Sequence, residues 1–334
     1  MLYIKNTLKC ILAGIVAVAI LSIILIPYSL LPVHIENPEG NTDYVWPANS
    51  RWAKMTEGIS FGQFDAKGYN NPEVIENPDI VVLGSSHTEA TNILPSESFA
   101  ALLGQAFEGK YTVYNQGISG HHFMKVCKYL PRNIELNPQA KYIIIETGSV
   151  MFDRKDANDL LGGTVDFSPS NSSGLIGTLQ KIPFPRTVYQ QISYGLLDLF
   201  IPPKTTAADT SPAPAKLPDS ADYDVIFGYL RDALQKTDAK LIIFYHPAGT
   251  MQQDGSASFQ VNDAALAMFS SKCQEYGIGF VDMTQPFADM YAADYKLPHG
   301  FITGKVGYGH INADGHAKIA EELAKHIVAL EEAE

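Results

Sequence analysis

Ile80-Val81-Val82-Leu83-Gly84-Ser85-Ser86-His87-Thr88-Glu89-Ala90 is the stretch whose reading decides the fold. The breaker cluster Asn77-Pro78-Asp79 precedes it. The apolar run that follows is too short for a helix and suits a strand buried on both faces. Gly84 permits a sharp turn, and from Thr88 the chain is expected to become helical. A serine between a central strand and the mouth of a helix lies where α/β enzymes place a nucleophile. Free backbone N–H groups and the helix N-terminus favour an oxyanion there. The plainer reading is a strand-to-helix turn in which Ser85 or Ser86 serves only as an N-cap.

Further along, the same grammar repeats. Leu94 to Phe107 reads as a helix, Lys110 to Tyr114 as a strand, His122 to Leu136 as a helix and Ala140 to Glu146 as a strand. Tyr223 to Leu234 is a helix, Lys240 to Tyr245 a strand, Val261 to Tyr276 a helix and Ile278 to Asp282 a strand. Such alternation gives an α/β fold with a parallel sheet covered on both sides. Near the C-terminus, Gly307-Tyr308-Gly309-His310-Ile311-Asn312 leads into an amphipathic segment from Ala317 to Ile327. Asn312 is placed to cap that helix, and His310 sits on the loop before it. A histidine there can swing over a serine at the sheet's edge and take its proton.

Three blocks together carry a resemblance: Gly84-Ser85-Ser86, then Asn115-Gln116-Gly117-Ile118-Ser119-Gly120, then His310-Ile311-Asn312-Ala313-Asp314-Gly315-His316. In order and spacing, over roughly residues 78 to 330, they resemble the SGNH (GDSL-type) hydrolases and acyltransferases. The resemblance implies a three-layer fold with a central parallel sheet flanked by helices. It also implies Ser86 as nucleophile, His310 as base, and the N–H groups of Ser86 and Gly117 as oxyanion donors. Two positions depart from the family's pattern. Val150 stands where the family has an asparagine donor, and Gly307 where it has the acid that orients the histidine. The site is then either a Ser-His dyad or a triad completed by an acid elsewhere, Asp282 and Glu146 being the candidates at strand ends. His87, His121 and His122 adjoin the motif loops and are candidates for substrate contact. No thiolate or carboxylate shares their spacing, so neither a metal nor a cofactor is expected.

The chain's start is different in kind. Lys5 and Lys9 precede an apolar run from about Cys10 to Val33, long enough for one transmembrane helix. Ala17-Val18-Ala19 resembles a cleavage site but lies inside the run, so an uncleaved anchor is favoured over a signal peptide. The lysines place the N-terminus inside and the rest outside the cytoplasmic membrane. The expected organisation is a cytoplasmic start and anchor over 1–33, a juxtamembrane segment over 34–77, and an SGNH-like domain over 78–334. That domain carries an insertion at about 153–222, rich in Thr, Ala, Pro, Asp and Ser from Thr205 to Pro218, with a short helix over Val188 to Ile201. Beyond Val33 there remain 22 bases against 36 acids, about −14, which argues against nucleic acid as a partner. Cys127 and Cys273 could pair or stay buried as thiols.

From anchor and resemblance follows the expected function, with an acylated carbohydrate as the partner. It is serine-dependent ester hydrolysis or O-acetyl transfer on a cell-surface or secreted polysaccharide. The alternative is a non-catalytic module of the same fold that binds a glycan or an assembly partner.

Overall fold

The computed structural model describes residues 2–25, 34–54, 57–165, 218–252, 254–259, 261–302 and 306–333. Five parallel strands form the central sheet: β5 (Ile80–Leu83), β6 (Val113–Asn115), β7 (Tyr142–Thr147), β8 (Lys240–Tyr245) and β11 (Gly279–Asp282). Their order across the sheet is β11-β8-β7-β5-β6. Ile80 pairs with Val113 on one side and with Tyr142 on the other, so β5 is a central strand. The chain runs from β5 to one edge, then back past it. Such a reversal leaves a crevice at the carboxyl ends of the strands, where open α/β sheets bind ligands.

Alternation along each strand divides the core into two layers. Val81, Leu83, Ile143, Ile145, Leu241 and Ile243 face α4 (Phe123–Leu136), α6 (Ser220–Leu234) and α7 (Asp263–Glu275). Ile80, Val82, Ile144, Ile242 and Phe244 face α3 (Phe99–Ala106), α8 (Thr284–Asp294) and α9 (Ala313–Glu332). Both faces are buried, which is why these strands read as unbroken apolar runs rather than alternating ones. Asn312 caps α9, its Oδ1 accepting from Gly315 N–H at 3.0 Å. Cys127 and Cys273 are free thiols buried in the first layer, and burial pushes both well above the ordinary thiol range.

Differences from the expected elements are local. The helix after β5 is a single turn, α2 (Ser86–Glu89), beginning at Ser86 and stopped by Ala90 in the left-handed region. The strand expected over Lys110 to Tyr114 is shorter and displaced to Val113–Asn115, because Thr112 is taken up by Asp79. Three short hairpins carry too little periodicity to be read: β1 (Ile35–Glu36) with β2 (Tyr44–Val45), β3 (Arg51–Lys54) with β4 (Ser60–Gln63), and β9 (Gly249–Met251) with β10 (Ala257–Phe259). Residues 34–77 do not hang free of the domain. Trp46, Trp52, Phe64 and Tyr69 form a third core cluster with Tyr114 and Ile118, and Trp46 stacks on Phe64 with ring centroids 5.0 Å apart.

The insertion opens with α5 (Arg154–Leu161), capped by Asp153. The helix expected over Val188 to Ile201 and most of the Pro-rich stretch lie outside the described residues. At the N-terminus, α1 (Leu2–Leu25) covers the first part of the expected anchor. Its side chains are described over 5–21, and among the described residues no helix is long and apolar enough to cross a membrane.

Candidate active site

Ser86 opens α2 at the carboxyl end of β5, and its Oγ lies 2.8 Å from His310 Nε2. On the far side of the ring, His310 Nδ1 lies 2.6 Å from Glu57 Oε2. Glu57 Oε1 accepts the His310 backbone N–H, also at 2.6 Å. One carboxylate therefore fixes both the ring and the main chain of the histidine. With Nδ1–H donated to Glu57, Nε2 is left bare to receive the serine proton. Burial pushes the Glu57 carboxyl up. The His310 ring, its backbone N–H and the Lys54 ammonium together outweigh that push and hold it below the usual carboxylate value.

Neither acid read from the sequence lies against His310 in the structure. Glu146 is spent elsewhere: its carboxylate accepts the Ser85 N–H at 2.7 Å, the Thr88 hydroxyl at 2.9 Å and His246 Nε2 at 2.9 Å. Asp282 accepts the N–H and hydroxyl of Thr284, at 2.9 and 2.6 Å, at the entry to α8. Glu57 lies between β3 and β4, some 250 residues before His310 in the chain and far from any motif. A faint signal for it was the pair of glycines around Tyr308. Gly309 has φ +96°, and a Cβ there would drive into Glu57 Oε1, so the close approach needs glycine. Gly307 has φ +81° and packs on Leu297 and Gly249, leaving no room for an acid.

The oxyanion side also shifts. Gly117 N–H donates to Asn115 Oδ1 at 2.9 Å and cannot serve an incoming oxygen. Gly120, three residues on in the same block, lines the cleft beside Ser86 instead. Among the described residues no acceptor takes the N–H of Gly120 or of Ser86, so these two amides are available. Val150 is buried, its carbonyl receiving the Tyr223 hydroxyl, and contributes nothing to the cleft. The asparagine donor of the SGNH pattern therefore has no equivalent at that position.

Of the three candidate contact histidines, two face the cleft and one does not. His122 and His87 line it. His87 also braces the site, its Nδ1 accepting the Ile311 N–H at 3.2 Å. Burial and the neighbouring His246 drive its pKa well down, so it stands neutral with the proton on Nε2. His121 is buried on the other side of the loop, between Tyr44, Tyr129 and Asp43, and burial takes its pKa to about 3. Its neighbour Lys125 makes an ion pair with Asp43 there. Among the described residues no group of three His, Cys, Asp or Glu side chains could hold a metal ion.

A cleft of about 660 Å³ runs from Ser86 to α5. Phe123, Met124 and Phe152 make its apolar wall, and Lys155, Asp156 and Thr164 its polar end. That volume is within the range of ordinary ligand pockets and far exceeds an acetyl group.

No known family profile matches the sequence, and no curated protein does. Solved structures similar to it include a catalytic mutant of Axe2, an acetylxylan esterase from Geobacillus stearothermophilus. It is 14% identical, with a TM-score of 0.41 over 76% of this chain and 95% of that one. A lipolytic protein of the G-D-S-L family from Veillonella parvula is 14% identical, with a TM-score of 0.38 over 74% and 96% of the two chains. TesA is 13% identical, with a TM-score of 0.39 over 74% and 97%. Likenesses this distant carry no functional argument, and the chemistry of the site stands on its own geometry.

Proposed function

We propose that this chain is a serine esterase or acyltransferase of SGNH type, using Ser86, His310 and Glu57. The observation that carries the reading is the unbroken Glu57–His310–Ser86 chain, with links of 2.6 and 2.8 Å, at the carboxyl end of a central parallel strand. His310 Nε2 removes the Ser86 proton as Oγ attacks an ester carbonyl. The Ser86 and Gly120 N–H groups receive the negative charge on the carbonyl oxygen. Collapse of that intermediate expels the alcohol, which takes the proton from His310, and leaves an acyl-serine. Water or a second hydroxyl then enters by the same route in reverse, and its proton again passes to His310.

The substrate we assign is an O-acetylated polysaccharide. A cleft much larger than the acyl group, open along a polar end at Lys155, Asp156 and Thr164, fits a carbohydrate acceptor better than a fatty chain. The place of action belongs to the same proposal. Lys5 and Lys9 lie in the first half of α1, on which Leu8, Ile11, Leu12, Ile15 and Ile20 are exposed, and this supports an N-terminal anchor with the domain outside. Protease added to right-side-out vesicles should then digest the domain; full protection would count against that orientation.

Incubation with a chromogenic acetate ester tests the chemistry, with and without an O-acetyl acceptor glycan. Release of the chromophore is expected, absent in Ser86→Ala. A folded parent that releases none and binds glycan would instead favour the non-catalytic reading, to which the lack of a side-chain donor at Val150 already points.

A further inference from the structure

Ser86 and Gly120, two residues that line the cleft and whose N–H groups meet no acceptor among the described residues, are each preceded by a serine held in the same way. Glu146, buried at the end of β7, accepts the Ser85 N–H at 2.7 Å and the Ser85 hydroxyl at 2.8 Å. Glu89, buried at the end of α2, accepts the Ser119 N–H at 3.1 Å through Oε1 and the Ser119 hydroxyl through Oε2. In each case one carboxylate grips both the main chain and the side chain of the serine.

The carbonyls of both serines are held too. Ser85 C=O accepts the Glu89 N–H at 2.9 Å, and Ser119 C=O accepts the Tyr44 hydroxyl at 2.7 Å. A planar trans peptide sets its C=O and its following N–H in opposite directions. Fixing the Ser85 carbonyl therefore aims the Ser86 N–H, and fixing the Ser119 carbonyl aims the Gly120 N–H. Trp46 Nε1 donates to Glu89 Oε1 at 2.6 Å, tying this arrangement to the segment that also supplies Glu57.

We infer that Glu89 and Glu146, with Tyr44, are positioning residues that aim the two oxyanion donors by clamping Ser119 and Ser85. The inference rests on the serine-esterase reading and adds to it how a site with no side-chain donor at Val150 is kept rigid. Preorganised donors stabilise a developing charge only while they stay on target. A shift of about 1 Å costs on the order of 10²-fold in rate.

Tyr44→Phe, Ser119→Ala, Glu89→Gln and Glu146→Gln test this, each compared with the parent for kcat, KM and affinity for a boronic acid that mimics the tetrahedral intermediate. The first two remove one hydroxyl each and keep the measurement open should the buried glutamate variants fail to fold. The expected result is a fall in kcat of roughly 10- to 100-fold, the larger for the glutamates, with KM unchanged. Boronate affinity should fall by the same factor, and the pH profile should hold. Full kcat in Tyr44→Phe and Ser119→Ala would overturn the clamp, as would lost turnover with unchanged boronate affinity. A parent that neither turns over ester nor binds the boronate would overturn the esterase reading, and the clamp with it.

Discussion

At the scale of single residues, the site turns on Glu57. Glu57→Gln leaves the hydrogen-bonding shape but no charge to stabilise the imidazolium, and it permits the wrong tautomer. Loss of about 10³- to 10⁴-fold in kcat is expected from steady-state kinetics, with the fold intact. Gly309→Ala should do comparable damage, because its Cβ would displace Glu57 from His310. Asp282→Asn should retain full turnover and an unchanged Tm, since asparagine can still cap Thr284. Installing an acid by Gly307→Asp should bring no gain at a position hemmed in by Leu297 and Gly249. Glu146 makes a pH prediction. Burial raises its pKa, but His246, His87 and the Ser85 N–H lower it further, leaving it well below the ordinary value. The unfolded chain, titrating near ~4.3, then binds more protons than the folded one as the pH falls. The stabilisation from Glu146 is whole above about pH 5 and lost progressively below it. Urea melts of Glu146→Gln from pH 7 to pH 3 should show a shallower acid decline than those of the parent.

Among the elements, the long ones were legible and the short ones were not. β5, β7 and β8 were readable because both their faces are buried and each is bounded by breakers. α9 was readable from its amphipathic run and Asn312. α2 is a single turn, set by Ala90 in the left-handed region and by the Glu146 carboxylate reaching in from β7 to Ser85 and Thr88, and no periodicity of its own announces that. The motif loops were found, but the roles within one of them were not. Asn115-Gln116-Gly117-Ile118-Ser119-Gly120 contains two glycines, and sequence alone did not show that Asn115 consumes the N–H of the first. Gly117 has a different task. A Cβ there would lie 2.5 Å from Glu89 N, so only glycine lets this loop press against α2. Gly117→Ala should destabilise by about 1–3 kcal/mol, the usual cost of overpacking, read as a lower Tm. Glu57 stayed hidden because the β3–β4 hairpin that carries it has no motif, and because the pattern sought an acid beside the histidine.

For the whole molecule, residues 34–77 are the unexpected contributor. They supply the carboxylate against His310, the Trp46 donor to Glu89, the Tyr44 donor to Ser119 and a cluster of aromatic side chains over Tyr114. A chain beginning at His34 should therefore keep its turnover and thermal stability. A chain beginning at Pro78 retains every residue of the three motif blocks but loses Glu57 and uncovers Tyr114 and Ile118. It should lose at least the ~10³-fold expected of Glu57→Gln, together with several degrees of Tm. Equal activity in the two shortened chains would mean that residues 34–77 are a dispensable spacer.

The central claim is that Glu57 and His310 activate Ser86. Its most direct measurement is labelling by a fluorophosphonate, followed by peptide mapping of the adduct by mass spectrometry. A single adduct on Ser86 is expected, absent from Ser86→Ala and His310→Ala and slowed by about three orders of magnitude in Glu57→Gln. An adduct on any other residue, or a rate in Glu57→Gln equal to that of the parent, would contradict it.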